Sequence, residues 1–337
     1  MVFFRVFLRT LGFLTAVLTF IIIVNLLLSS TTSIQKNQFV MIEGNENSKN
    51  IIAKINLNGP IFNNSNGNFG ENFYDYINPV NIKTYLKELK SLNIKVLLIN
   101  INSPGGTVSA SAELEKILSD FKKESKIKVY FFTKEILASG GYWVATSADK
   151  IFASYGSIIG SIGVSGPSWF FYDTPISVSS GIIGQSIETK GGIKVYNQNA
   201  GKSKDLFNPY RRPEDKEIKH LQEIVEEIYS DFITKVSRNR NVDISFVKNN
   251  VGALIYSSDQ AKKNYLIDDV LDYETLIKYI KEENNFSDYK IYENKQNYSL
   301  IASLFSKYNY NDNLINKICR NFETSFNVIS PLFLENC

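Results

Sequence analysis

The stretch "KVLLININSPGGTVSASAELEKILSDFKKESKIKVYFFTKEI", residues 95–136, decides the fold. It begins with an unbroken apolar run, continues through a Ser-Pro-Gly-Gly turn into apolar positions at helical spacing, and ends in a second apolar run. This order of strand, amphipathic helix and strand predicts a βαβ unit in a parallel sheet. Ligands of such sheets bind beyond the carboxyl ends of the strands, so we expect a functional site there.

The same rhythm extends to both sides of this stretch. Residues 51–59 ("IIAKINLNG") predict a strand, residues 81–92 ("NIKTYLKELKSL") a helix, and the Asn- and Gly-rich residues 63–75 a surface loop. Residues 214–239 place apolar side chains on one face at helical spacing, which predicts a long amphipathic helix whose apolar face is core or subunit interface. The fold class is therefore α/β, with parallel βαβ units.

Composition excludes several classes of function. The chain has 337 residues, of which 44% are hydrophobic, and a formal net charge of +3. It is long enough to bury a core and lacks the basic surface of a nucleic-acid-binding protein, so we expect no nucleic acid partner. Cys319 and Cys337 lie in the tail and no Cys/His cluster has metal-ligand spacing, so we expect neither a metal nor another cofactor.

The N-terminal segment predicts a membrane anchor. Residues 10–28 carry no charge and follow Arg5 and Arg9. As a helix they span roughly 28 Å, close to the ~30 Å hydrocarbon core of a bilayer. The alternative is a cleaved signal peptide, whose apolar region is usually shorter and precedes a small-residue cleavage pattern. We expect a retained single-pass anchor, with the N-terminus in the cytoplasm and the body outside it.

The whole chain divides into four parts. Residues 1–30 form the cytoplasmic stub and anchor, and the polar residues 31–49 predict a tether. Residues 50–280 contain the βαβ pattern and form the folded domain. Residues 281–337 form a C-terminal extension with no assigned role, in which residues 288–295 read as a strand and residues 299–308 as a helix.

Two junctions between strand and helix carry the residue types of a catalytic site. The first contains Gly105 and Gly106, whose amides can stabilise an oxyanion because glycine permits close backbone approach. The second, "ILASGGYWVAT" (residues 136–146), places Ser139 directly before Gly140. A serine there is either a helix cap or a nucleophile. Two such junctions in consecutive units favour the nucleophile.

A nucleophilic serine needs a base. The single histidine, His220, lies within the long amphipathic helix and reads as a surface or interface residue, which makes a Ser-His-Asp triad hard to build. The alternative base is a lysine, whose pKa burial has to lower from about 10.4 to about 7 to 8. Lys202 and Lys204 are the candidates, and the pattern alone does not choose between them.

Several motifs in one order resemble the signal peptide peptidase A family of serine proteases, peptidase family S49. They are "NSPGG" (102–106), "ASGGYW" (138–143), "ADKIFA" (148–153), "GSIGV" (160–164) and "GKSKD" (201–205). The resemblance implies a fold like that of the Clp protease and the crotonases. It implies a Ser/Lys dyad, in which Ser139 is the nucleophile, Lys204 the general base and Ser161 the residue that orients the lysine. The oxyanion-hole amides would be those of Gly140 and of the Gly105-Gly106 turn.

The resemblance also implies a setting and a substrate class. The expected substrates are remnant signal peptides and other hydrophobic peptides, and the expected location is the bacterial inner membrane, with the catalytic domain on the extracytoplasmic side and the anchor in lipid. A homo-oligomer would complete each site with residues from adjacent subunits. Two alternatives are a non-catalytic membrane scaffold and a crotonase-type enzyme that acts on acyl thioesters.

Overall fold

The computed structural model describes residues 2–30, 39–63, 76–171, 179–181, 184–186, 200, 202–294 and 327–329. The chain separates into two compact units, Met1–Val40 and Met41–Cys337. Several sequence predictions lie outside the described residues: residues 31–38 of the tether, nearly all of the predicted surface loop, the predicted helix 299–308 and both cysteines. The rest of the predicted tether, residues 39–49, is described, and its residues 39–44 form a strand of the main sheet.

The first unit consists mainly of helix α1 (Val2–Ser30). Its segment Val2–Ile23 has a mean hydropathy of 2.2, and none of it is buried. These 22 residues span about 33 Å as a helix, enough to cross a bilayer. The hydroxyls of Thr10, Thr15 and Thr19 donate to backbone carbonyls three or four residues earlier, so no hydroxyl among them requires water.

The strands are short and are numbered in chain order. They are β1 (Phe39–Gly44), β2 (Ile51–Asn58), β3 (Val96–Asn102), β4 (Gly105–Thr107), β5 (Lys128–Thr133), β6 (Ile136–Ala138), β7 (Lys150–Ala153), β8 (Ile158–Gly160), β9 (Ser179–Gly181), β10 (Gly184–Ser186), β11 (Ile255–Ser257), β12 (Asp269–Val270), β13 (Lys290–Asn294) and β14 (Asn327–Ile329).

The helices of the second unit alternate with these strands. They are α2 (Pro79–Ser91), α3 (Val108–Ser125), α4 (Gly140–Ala145), α5 (Asp215–Arg240), α6 (Ile244–Phe246), which continues into a π-helical turn over Val247–Val251, α7 (Ser258–Lys263) and α8 (Tyr273–Glu283).

A seven-stranded sheet forms the frame of the second unit, in the order β1-β13-β2-β3-β5-β7-β12. Neighbouring strands from β13 to β12 are parallel, and β2 pairs with β3 from Ile52 opposite Val96 to Asn58 opposite Asn102. Helix α2 connects β2 to β3, and α3 lies between β3 and β5. The predicted α/β class with parallel βαβ units is confirmed.

Local sequence explains where the crossover helices begin and which face they bury. The side chain of Asn78 accepts a hydrogen bond from the Val80 amide at the start of α2, and the Thr107 side chain accepts one from the Ala110 amide at the start of α3. Helix α2 buries Ile82, Leu86 and Leu89, and α3 buries Ala110, Leu114, Leu118 and Phe121. These are the apolar positions of the sequence pattern.

The core lies along the central strands, because their apolar runs are continuous and both faces are covered. Residues 96–99 of β3 are completely buried. Helix α8 packs its buried Leu276 and Ile280 against the same cluster as Ile52 and Ile291. The compact body therefore includes β13, which follows residue 280.

A second sheet of three strands, in the order β11-β8-β6, carries the ends of two motif-bearing segments. Strands β6 and β8 are parallel, and Ala138 lies opposite Gly160. Strand β11 runs antiparallel to β8 on its other side. Because the two serines of interest directly follow Ala138 and Gly160, the pairing of β6 with β8 brings Ser139 and Ser161 to the same edge.

Candidate active site

Ser139 lies at the sharp turn between β6 and α4. Its backbone has φ 53° and ψ −120°, a conformation that non-glycine residues rarely adopt. Ser139 is 1% exposed, so it is buried within the single chain. Ser139 occupies the N-cap position of α4, but its side chain makes no capping hydrogen bond. The hydroxyl is therefore not committed to holding the helix.

Ser161 follows β8 and lies beside Ser139. The Ser139 amide donates to the Gly160 carbonyl at 2.8 Å, and the Ser161 amide donates to the Leu254 carbonyl at 2.7 Å. Ser161 is 4% exposed and also has a positive φ, 52°. These bonds fix the backbones of both serines at the carboxyl ends of two paired strands.

The Gly105-Gly106 turn joins the same site through Ser103. The Ser103 amide donates to the Ile136 carbonyl at 2.8 Å, and the Ala138 amide donates to the Ser103 carbonyl at 3.1 Å. The residue after Ala138 is Ser139, so the two glycine-containing junctions of the sequence are hydrogen-bonded neighbours. The structure thus brings together Ser139, Gly140, Ser161 and the turn.

The two amides of this turn differ in their partners. The Gly105 amide donates to the Ser103 hydroxyl at 3.2 Å. On the edge facing Ile61, the Gly105 carbonyl accepts a hydrogen bond from the Ile61 amide at 2.8 Å, and the Thr107 amide donates to the Ile61 carbonyl at 2.9 Å. The backbone groups of Gly106 make no hydrogen bond to Ile61. Gly106 lies opposite Val328 on the other edge, where β14 pairs antiparallel with β4.

Close packing explains why two of the motif positions are glycine. A Cβ on Gly106 would lie 1.8 Å from the Ile61 carbonyl oxygen, and a Cβ on Gly141 would lie 3.0 Å from the Ser103 carbonyl oxygen. Neither position has room for a side chain without backbone movement at Gly106 or a small shift at Gly141. The glycines let the two junctions approach each other.

Asn102 supports the site and was missed by the sequence reading. Its side-chain oxygen accepts hydrogen bonds from the Thr133 hydroxyl (3.1 Å) and from the amides of Lys134 (3.1 Å) and Glu135 (3.0 Å). Three bonds to one oxygen fix the turn that leads from β5 into β6, and hence the approach to Ser139. The signal was present, because Asn102 is the first residue of the "NSPGG" motif.

Helix α4 is anchored to the rest of the unit by its aromatic residues. The Tyr142 hydroxyl donates to the Leu266 carbonyl at 2.6 Å, and complete burial raises the pKa of Tyr142. The Trp143 ring stacks on Phe232 of α5 with a centroid distance of 4.7 Å. Ser139 therefore stands at the start of a helix that has little freedom to move.

Lys204 is exposed in the single chain, whereas Ser139 is buried. Lys204 lies on an irregular segment before α5, and Lys202 on the same segment is also exposed. Within the described part of the chain, no hydrogen bond joins Lys204 to Ser139 or Ser161. His220 is exposed on α5, and the described residues contain no cluster of three His, Cys, Asp or Glu side chains that could hold a metal ion.

Comparison with known sequences shows what the chain is similar to. Residues 121–287 match the model of peptidase family S49. The chain is 32% identical over 266 residues to a putative signal peptide peptidase of Enterococcus faecium. The aligned region covers 77% of this chain and 71% of that protein. It is also 32% identical over 245 residues to a putative protease of Methanocaldococcus jannaschii, covering 72% of this chain and 73% of the relative.

A solved structure of a ClpP1 variant from Listeria monocytogenes has a TM-score of 0.40 and 12% sequence identity, over 66% of this chain and 92% of that one. These two sequence relatives are named as a putative peptidase and a putative protease, which favours a peptidase over the acyl-thioester enzyme and the non-catalytic scaffold.

Proposed function

The chain belongs to peptidase family S49, and from that premise we propose that it is a membrane-anchored serine endopeptidase with Ser139 as nucleophile and Lys204 as general base. The observation that carries the proposal is the position of Ser139. It is buried, its backbone is strained, and it lies between Ser161 and the glycine turn. A strained turn from strand to helix is also the geometry that presents the nucleophile of α/β-hydrolases.

The proposed reaction has two stages. Neutral Lys204 takes the proton of the Ser139 hydroxyl as the oxygen attacks the peptide carbonyl carbon, and the carbonyl electrons move onto the carbonyl oxygen. Collapse of this intermediate breaks the C–N bond, and the lysine returns the proton to the departing amine. Lys204 then takes a proton from water as the water oxygen attacks the carbonyl carbon of the acyl-enzyme. Collapse of this second intermediate breaks the bond to Ser139 Oγ, the lysine returns the proton to that oxygen, and the acid leaves. Ser161 would hydrogen-bond to the lysine and hold it toward Ser139.

The amides of Gly140 and Gly106 are the proposed oxyanion donors. Gly140 directly follows the nucleophile and is buried. Of the two amides in the glycine turn, that of Gly105 is bonded to the Ser103 hydroxyl, whereas Gly106 faces the edge at which β14 pairs, the same edge at which we propose that the substrate binds, which favours Gly106. One such donor typically contributes about 10²–10³-fold to kcat.

The exposure of Lys204 supports a site that a second subunit completes. A lysine has to be desolvated to be neutral near pH 7, and the single chain leaves Lys204 in solvent. The first half of α5, which follows this segment, is also uncovered: Ile218 is 51% exposed. An oligomer that covers this half of α5 and buries Lys204 against a neighbour would meet both needs.

An extended peptide is the proposed substrate, in particular a remnant signal peptide or a similar hydrophobic segment. The pairing of β14 with β4 supports this, because the edge of β4 accepts an antiparallel strand beside Gly106, and β14 also lies near α3 and α4. A substrate backbone bound at the same edge would pass close to Ser139.

The proposed location is a bacterial inner membrane, with α1 as the anchor. Arg5 and Arg9 precede the uncharged residues 10–28. Under the positive-inside rule they stay in the cytoplasm, which puts the second unit on the extracytoplasmic side.

The test compares the full chain in detergent with Ser139→Ala and Lys204→Ala, using a fluorogenic hydrophobic peptide. Each variant should lose at least about 10³-fold in kcat, because a dyad works as a unit. Lys202→Ala is the matched control, since Lys202 is also exposed on the same segment, and it should keep nearly full activity. Full activity of either dyad variant, with normal folding and assembly, would refute the assignment.

A further inference from the structure

The segment that carries Lys204 is held in an unusual shape. Ser203, directly before Lys204, has φ 59°, and Phe207 has φ 65°. Residues with side chains adopt such angles at a cost of about 1 to 3 kcal/mol, and only where the surroundings enforce them. Something must therefore hold this segment in place.

Arg211 makes the contacts that hold it. Its Nε and Nη2 atoms donate to the two carboxylate oxygens of Asp205 at 2.6 and 2.8 Å. Its Nη1 and Nη2 atoms donate to the two carboxylate oxygens of Glu217 at 2.8 and 3.0 Å. The guanidinium also lies over the ring of Trp169, 5.2 Å from its centroid. Such two-pronged pairs fix orientation as well as distance.

Glu217 connects the same network to α5 and to the other side of the lysine. It is 4% exposed, lies in the first turn of the helix, and accepts a hydrogen bond from the Glu214 amide at 2.9 Å. The Ser203 side chain also donates to Glu217. The two residues that flank Lys204 are therefore tied to one ion pair, Ser203 through Glu217 and Asp205 through Arg211.

Trp169 secures the outer side of this segment. Its ring nitrogen donates to the Asn208 carbonyl at 3.2 Å, and its ring packs against Phe207 with a centroid distance of 5.2 Å. Trp169 belongs to the stretch that follows Ser161, so the lysine-bearing segment is bound to the chain leaving β8.

We propose that Arg211 and Glu217 are positioning residues that set the backbone of Lys204 so that its amine reaches Ser139 in the assembled enzyme. The inference rests on the proposed function, because it assumes that Lys204 is the base. Neither residue has a part in the chemistry. Their role is to remove the freedom of a backbone whose lysine side chain is itself flexible.

The network stays ionised wherever a lysine base can work. The Arg211 guanidinium lowers the pKa of Asp205 and holds that of Glu217 at about 2, while the two carboxylates raise the pKa of Arg211. Changes of rate above pH 5 therefore do not come from this network and report on the lysine instead.

Arg211→Lys is the test variant, because it keeps the positive charge and removes the guanidinium that bonds both carboxylates at once. With the full chain in detergent, we expect kcat per titrated Ser139 to fall about 10- to 100-fold while KM changes less than about threefold. The acid limb of the kcat/KM profile should move to higher pH, since a loosened, better solvated amine has a higher pKa. Arg238→Lys, at an exposed arginine on α5, is the control and should change neither quantity.

Combining Asp205→Asn with Arg211→Lys gives a second test of the positioning role. If Arg211 acts through Asp205, the double variant should lose no more kcat than Arg211→Lys alone. A purely structural role would lower the yield of active sites while leaving kcat per site and the pH profile unchanged, and that result would overturn the inference.

Lys204→Ala separates the two proposals. If it is inactive and Arg211→Lys behaves as the unchanged enzyme, only the positioning role is refuted. If Lys204→Ala is active, the base assignment fails, and the positioning role fails with it. Should Arg211→Lys not fold, Glu217→Gln removes the other half of the network and is judged by the same kcat and pH criteria.

Discussion

Strain at Ser139 is held in place by its neighbours. A serine at φ 53° and ψ −120° costs about 1 to 3 kcal/mol. Two backbone hydrogen bonds offset this cost: the Ser139 amide donates to the Gly160 carbonyl, and the Ser139 carbonyl accepts from the Trp143 amide at the start of α4. Both need the backbone of Ser139 in this conformation. The same bonds remove Ser139 from the usual serine role of helix capping. Strain and an uncommitted hydroxyl therefore have one structural cause.

Gly106 gives a sharp prediction at the residue scale. In Gly106→Ala the new methyl would lie 1.8 Å from the Ile61 carbonyl oxygen, so the turn has to move. We expect the variant to lose at least about 3 kcal/mol of unfolding free energy and to be inactive, because the proposed oxyanion donor moves with the turn. Urea unfolding and peptide cleavage measure the two effects.

Gly156→Ala is the control for this substitution. Gly156 has a positive φ, 86°, which Gly106 does not, but an added Cβ at Gly156 meets nothing within 4 Å. It should lose only about 1 to 2 kcal/mol for the left-handed backbone and keep its activity. Equal losses in the two variants would show that the contact with Ile61 does not matter.

Only part of the candidate site could be predicted from sequence. Ser139 and Gly140 were recognisable because strand, turn and helix signals are local. The choice of Lys204 over Lys202 depended on resemblance, since exposure and orientation come from tertiary contacts. The sequence does not reveal Arg211 and Glu217, because their proposed role depends on the ion pairs of Arg211 with Asp205 and Glu217, which form only when the chain folds.

At the scale of elements, the start of α5 depends on Glu217. Arg211 holds the pKa of Glu217 at about 2, below the ordinary value of about 4.3. A carboxyl with a depressed pKa contributes stability that is complete above about pH 4.5 and is lost as pH falls towards 2. Urea unfolding of Glu217→Gln should therefore show a constant deficit from pH 7 to 5 that shrinks below pH 4.5.

Glu227→Gln is the matched control for this prediction, since Glu227 is an exposed glutamate on the same helix. Its stability difference from the unchanged chain should be close to zero at every pH. A Glu217→Gln deficit that stayed constant down to pH 3 would mean that the carboxylate charge contributes nothing.

The longer elements were predictable, and the short ones were not. The strand and helix patterns at residues 51–59, 81–92 and 214–239 correspond to β2, α2 and α5, because apolar periodicity over eight or more residues is a strong signal. The three-residue strands β6, β8 and β11 are too short to show a period. They pair residues that lie 22 positions apart between β6 and β8, and up to 99 positions apart between β8 and β11, and such pairing is set by the tertiary fold.

At the scale of the whole molecule, the single chain buries the proposed nucleophile and leaves the proposed base in solvent. Ser139, Ser161 and the glycine turn are assembled within one protomer, whereas Lys204 stays exposed. If a neighbouring subunit contributes Lys204, then each active site needs one intact Ser139 and one intact Lys204 from different chains. This separation can be tested without knowing the number of subunits.

We predict that Ser139→Ala and Lys204→Ala chains, each inactive alone, recover activity when they are denatured, mixed in equal amounts and reassembled. A shared site is intact only where a chain with Ser139 meets a neighbour with Lys204. Random assembly in a closed ring produces that pairing at about a quarter of the sites, so about a quarter of normal activity should return. Each variant reassembled alone is the control. If each protomer used its own lysine, every site in the mixture would lack one partner, and no activity would return.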